Sequence, residues 1–145
     1  MLSDIDIPEA HLILSTYGGS VHDMFALYDA VQLLKSETKV ATVGMGKVMS
    51  AGVLLLASGT KGERQMGRHC SLMIHPFTYG FSGNVNEGMV ERKETERLQK
   101  KYVLLLSKMT NLSQKEIKKM FKKQNNTYMD AEEALKYGII DKIIG

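Results

Sequence analysis

Between residues 11 and 76, short apolar runs alternate with capped or glycine-bounded helical segments, and few architectures accommodate that rhythm. His11-Leu-Ile-Leu-Ser-Thr16 reads as a strand, stopped by Tyr17-Gly18-Gly19. Ser20, with Asp23 three residues on, opens a helix in which Val21, Met24, Phe25, Tyr28 and Val31 recur at helical spacing. Lys39-Val-Ala-Thr-Val43 is a second strand, expected to end at Gly44 and Gly46. From Ser50 a compact helix of small and apolar residues, Ala51 to Ala57, runs to Gly59, which is placed as the glycine past its end. Ser71-Leu-Met-Ile74 is a third strand and leads into His75-Pro76. This β-α-β-α-β order points to an α/β fold with a mainly parallel sheet covered by helices.

After His75 the texture changes. Gly80-Phe81-Ser82-Gly83 is a glycine-bearing extended piece, and Val85 to about Met109 is a long helix rich in charge. Ser113 with Glu116, and Asp130 with Glu133, mark two more helix starts. Gly138 closes the last helix before a short strand, Ile139-Ile140 to Ile143-Ile144. No linker, repeat or low-complexity tract divides the chain, and 145 residues suit one domain over 1–145.

Composition narrows the function classes. A single cysteine, Cys70, cannot form an internal disulfide, and no Cys/His ligand set for a metal is visible. A net charge of +3 gives no argument for nucleic acid, and the lysine-rich stretch Lys115, Lys118, Lys119, Lys122 and Lys123 reads as a solvated helix face. The longest apolar run, Val53 to Ala57, falls far short of the ~20 residues that span a bilayer. The acidic N-terminus, Met1-Leu-Ser-Asp-Ile-Asp6, lacks the pattern of a signal peptide. A cytoplasmic protein without membrane, nucleic-acid or cofactor partners is the expectation.

Two residues invite a chemical reading. Ser50 follows a strand and a glycine-bearing turn and heads a buried-looking helix, where free N–H groups favour developing negative charge. Taken alone, a serine there is an ordinary N-cap. His75 closes an apolar strand, and taken alone it is an ordinary hydrogen-bonded histidine. Gly18-Gly19 makes a tight turn, or brings a backbone N–H close to a ligand carbonyl. It is no dinucleotide fingerprint, and Gly59-Thr-Lys-Gly62 is no phosphate loop.

Order and spacing change the weighing. Gly18-Gly-Ser-Val21 opening a helix, then Met45-Gly-Lys-Val-Met-Ser-Ala-Gly52, then Leu72-Met-Ile-His-Pro76, resembles the ClpP family of ring-forming serine peptidases. The likeness continues through Ala26 to Gln32, Ala57-Ser-Gly59, Phe81-Ser-Gly83 and Ala131 to Asp141, and so covers essentially the whole chain. The resemblance implies a ClpP/crotonase-like spiral of ββα units, with a protruding strand–helix handle over about 77–109. It implies Ser50 as nucleophile, His75 as general base, and the N–H groups of Gly19 and Ala51 as an oxyanion hole. It makes Tyr79, Gly80, Phe81, Ser82 and Gly83 part of an edge strand that pairs with an extended peptide. Unfolded polypeptide would be the substrate, and homo-oligomeric rings stacked through the handle the assembly.

The sequence departs from the family pattern in two places. The family carries a strand, a helix and an axial N-terminal loop ahead of the point where this sequence begins, which leaves docking to a Clp-type ATPase unfoldase an open question. Where the family has the triad aspartate, the chain reads Gln124-Asn-Asn-Thr-Tyr-Met-Asp130. Asn126 aligns there from the C-terminal side, with Gln124 or Asn125 as alternatives, and Asp130 is better explained as a helix cap. The expectation is a serine endopeptidase working through an acyl-enzyme. The alternatives are a weakly active or non-catalytic ring subunit that modulates a fuller partner, and a crotonase-like acyl-CoA enzyme. Against the last stands the Ser50–His75 pair, because crotonase-type sites rely on carboxylates.

Overall fold

In the computed structural model, which describes residues 8–123 and 125–145, the first half of the chain runs β1 (Glu9–Thr16), α1 (Val21–Lys35), β2 (Lys39–Met49), α2 (Ala51–Ala57), β3 (Arg64–Gly67) and β4 (Ser71–Ile74). The second half runs α3 (Val85–Met109), α4 (Gln114–Lys123), β5 (Thr127–Met129), α5 (Ala131–Lys136) and β6 (Lys142–Ile144). Among the described residues, all strand pairs are parallel except β4 with β5.

The second strand organises the sheet. The sequence suggested an end at Gly44 and Gly46, but β2 continues through both glycines to Met49. The glycines bend it instead. Leu14 pairs with Gly44 and Thr16 with Val48, so β2 carries two extra residues against β1 at this point, and Gly46 adopts a φ of 67° there. One half, Thr42–Gly44, pairs with β3, while the other, Lys47–Met49, pairs with β4. The bend therefore lets one strand serve two successive partners and curls the sheet, as the resemblance implies.

Three further differences from the sequence expectations have local causes. β3 and β5 escape notice because Arg64-Gln-Met-Gly67 and Thr127-Tyr-Met129 are too short and mixed to show alternation. The C-terminal strand is confined to Lys142–Ile144, while Ile139 and Ile140 are buried in the turn before it, after Gly138 at φ 66°. Residues 79–83 form an exposed irregular segment, not a strand. The Tyr79 hydroxyl donates to the Gly88 carbonyl at 2.6 Å, tying that segment to the first turns of α3.

The core forms around α2. Gly52 through Ala57 are all buried, so this helix is apolar on every side because every side is covered. Fully burying a side chain such as Leu54 or Leu56 contributes about 1.5–3 kcal/mol. The helix packs tightly on β2. Thr42, fully buried, donates to the Leu56 carbonyl at 2.7 Å, and a Cβ on Gly59 would lie 2.5 Å from the Thr42 hydroxyl. That clearance, not a left-handed cap, is what the glycine after α2 supplies.

Candidate active site

Strand register brings the two candidate residues together. Met49 is paired with Met73 in the parallel β2–β4 ladder, so Ser50 and His75 leave neighbouring strands at the same end of the sheet. The Ser50 N–H donates to the Met73 carbonyl at 2.7 Å, which fixes the turn between β2 and α2 to β4. Ser50 itself is held at φ 56°, ψ −120°, the one non-glycine residue with positive φ among those described. Its hydroxyl does not cap the helix. It lies 2.8 Å from His75 Nε2.

The other ring nitrogen settles the proton's place. His75 Nδ1 is 2.6 Å from the carbonyl oxygen of Pro76. A carbonyl can only accept, so Nδ1 carries the hydrogen and Nε2 presents its lone pair to the Ser50 hydroxyl. This is the tautomer that can take a proton from serine. Pro76 was not singled out from the sequence, since a backbone carbonyl leaves no side-chain signature.

The glycine pair closes the other side. A Cβ on Gly18 would fall 2.7 Å from the Ser50 Cβ, and Gly18 has a φ of 110°. Only glycine lets the loop after β1 approach this closely. The Gly18 N–H donates to the Thr16 hydroxyl at 3.0 Å and braces that loop. Gly52 is equally constrained, because its Cβ would lie 2.6 Å from the Thr16 methyl. Among the described residues, neither the Gly19 nor the Ala51 N–H has an acceptor. Both border a cavity of about 240 Å³ beside Ser50.

The Clp protease family profile matches residues 2–145 of this chain. The chain belongs to the Clp protease family. It is similar to an ATP-dependent Clp protease proteolytic subunit of Deinococcus radiodurans, 35% identical over 136 residues, which are 94% of this chain and 65% of that protein. The chain thus spans just under two thirds of that relative's length.

In the Clp family setting, the expected site residues divide into those the fold brings together and those it does not. Ser50, His75, Gly19 and Ala51 converge on one end of the sheet. Asn126 comes near in topology only. In the β4–β5 ladder Ile74 is paired with Thr127, so His75 and Asn126 are the next residues at that end. Yet Asn126 is exposed and makes no hydrogen bond to His75, whose Nδ1 is already occupied by Pro76. Asn125 is exposed as well, and Gln124 lies outside the described residues. Tyr79 to Gly83 begin four residues after His75 and are held on α3, with Phe81 packed so closely that a Cβ on Gly88 would lie 2.9 Å from its ring. Among the described residues no cluster of three His, Cys, Asp or Glu side chains could hold a metal ion, and no helix is long and apolar enough to cross a membrane.

Proposed function

We propose that this chain is the serine endopeptidase subunit of a self-compartmentalising ClpP-like protease, cleaving unfolded peptides through an acyl-enzyme. The observation that carries this reading is the strained Ser50, with His75 Nε2 at 2.8 Å and the ring held in the proton-accepting tautomer. Ser50 Oγ attacks the scissile carbonyl carbon as its proton passes to Nε2. The carbonyl oxygen, now negative, is held by the Gly19 and Ala51 N–H groups. The protonated His75 then gives its proton to the departing amine, and water, activated by the same nitrogen, releases the acyl group. The exposed segment from Tyr79 to Gly83 receives the substrate backbone, forming its strand only when a peptide supplies the partner. A cytoplasmic setting, stacked homo-oligomeric rings and a Clp-type ATPase unfoldase as an open partner belong to the same reading. Family membership and the serine–histidine pair weigh against a crotonase-like acyl-CoA enzyme.

A second reading, a weakly active or modulatory ring subunit, is favoured by one specific observation. The group orienting His75 is a neutral carbonyl rather than a carboxylate. It sets the tautomer but supplies no charge to stabilise the imidazolium. One experiment addresses both readings. A fluorophosphonate should attach to Ser50 alone, and Ser50→Ala should abolish attachment. Steady-state cleavage of a fluorogenic peptide by the labelled-competent protein then separates a full peptidase from a slow one. Peptide cleavage that persists in Ser50→Ala would overturn the assignment.

A further inference from the structure

We infer that the cavity beside Ser50 selects peptides whose scissile carbonyl belongs to a lysine or arginine, with the Asp23 carboxylate as the counter-charge. This rests on the peptidase reading above and adds a substrate class to it. A carbonyl oxygen held between the Gly19 and Ala51 N–H groups places its own residue's side chain at the cavity those groups border. The cavity has a volume of about 240 Å³ and opens to solvent. Its apolar wall is Met24, Leu27 and Leu55. Its polar groups are not equally free. The Thr16 hydroxyl is engaged by the Gly18 N–H and the Ser20 hydroxyl by the Asp23 N–H. The Asp23 carboxylate is exposed and has no hydrogen bond or ion pair among the described residues.

A side chain that suits this lining has an apolar stem and a cationic tip. Lysine and arginine lay their methylenes along apolar surface while the charge stays at the wet end, and a charge-assisted bond to a carboxylate exceeds a neutral one. A glutamate or aspartate there would meet Asp23 with like charge. The bland alternative is that Asp23, in the first turn of α1, merely complements the helix dipole. That alternative leaves substrate choice untouched, so the two are separable.

The test uses three peptidyl diphenyl phosphonates, identical except for a terminal lysine, norleucine or glutamate analogue. The readout is the rate at which each labels Ser50, followed by intact mass. In each reaction a bond forms from Ser50 Oγ to phosphorus, one phenoxide leaves, and the serine proton passes through His75 to give phenol. The lysine probe should react about tenfold faster than norleucine, the scale of a charge-assisted bond discounted for exposure, and glutamate should be slowest. Asp23→Asn should bring the lysine-to-norleucine ratio near one, and Asp23→Lys should reverse the order of lysine and glutamate. Equal labelling by all three probes, or an unchanged ratio in Asp23→Asn, would overturn this inference and leave the peptidase reading standing. If none of the probes labels Ser50, the peptidase reading falls and the inference falls with it.

Discussion

Ser50 occupies a backbone conformation that side-chain-bearing residues avoid, and the surroundings explain how it is kept there. Its N–H is bonded to Met73, its Cβ faces the bare Cα of Gly18, and its hydroxyl faces His75. Such conformations cost about 1–3 kcal/mol and persist where neighbours over-determine them, which happens mostly at functional sites. The strain yields a prediction independent of activity. Ser50→Gly and Ser50→Ala both lose the hydroxyl, but only glycine relieves the positive φ. The glycine variant should be more stable than the alanine variant by about 1 kcal/mol in urea unfolding, the reverse of the usual order. Equal stabilities would mean that Ser50 is not strained in solution.

Among the elements, β3, α2, α3 and the turn before β6 meet at a hydrogen-bonded junction away from the site. Arg64, 2% exposed, donates to both oxygens of Asp141, at 2.7 and 2.9 Å, and to the carbonyls of Met109 and Ala57 at the ends of α3 and α2. A cation there also complements the negative ends of two helices. Burial pushes the Asp141 carboxyl up, but its bonds from Arg64 and from the N–H groups of Arg64 and Gly62 outweigh that and hold it below the usual carboxylate range. A depressed carboxylate contributes stability above its unfolded value of ~3.9 and loses it as pH falls through the lower folded value. Asp141→Asn should therefore cost about 3 kcal/mol at neutral pH, because it leaves a buried guanidinium uncompensated. Denaturation curves between pH 7 and 3 should show the wild type losing its advantage only in the acid range. A variant as stable as wild type at pH 7 would contradict the role given to this pair. The sequence conceals this junction, because Arg64 sits in a four-residue strand with no periodicity and two of its four side-chain bonds go to backbone carbonyls. The layout of β1, α1, α2 and β4 was legible, since apolar spacing, Ser20 and the glycine pair all point the same way. The pairing of Ser50 with His75 came from the family resemblance, since each residue alone reads as an ordinary cap or histidine, and the β2–β4 register is what brings the two together. The acceptor on Nδ1 was not legible at all, because the aspartate position of the family offered a side-chain answer where the fold supplies the Pro76 carbonyl.

At the scale of the molecule, α3 is the element the rest of the chain leaves uncovered. Its second half is anchored by Leu98, Tyr102, Val103 and Leu106, all buried, with Phe77 edge-on to Tyr102 at 5.4 Å. The first half is different. From Val85 to Arg97 only Gly88 is buried, while Val85, Met89 and Val90 are 79%, 55% and 65% exposed. Ion pairs within the helix, Arg92 to Glu96 at 3.0 Å and Arg97 to Glu94 at 2.7 Å, contribute a few tenths of a kcal/mol each. Those pairs do not offset the cost of ordering thirteen residues at about 1 kcal/mol or more apiece, so packing must make up the difference. Val85 and Met89 lie one turn apart on one face, and Val90 widens that exposed apolar face by a further step of about 100° around the axis. Tyr79 and Phe81, which contact the helix at Gly88, are 43% and 39% exposed. An apolar stripe of this kind on a projecting helix fits the same stripe on a second copy, the self-complementary contact of a two-fold interface. The chain should sediment as an oligomer at micromolar concentration. Val90→Glu places a charge in the stripe and should shift the distribution to smaller species without unfolding the body, as checked by circular dichroism. A wild-type monomer at that concentration would remove the argument, and an oligomer indifferent to Val90→Glu would move the contact to another surface.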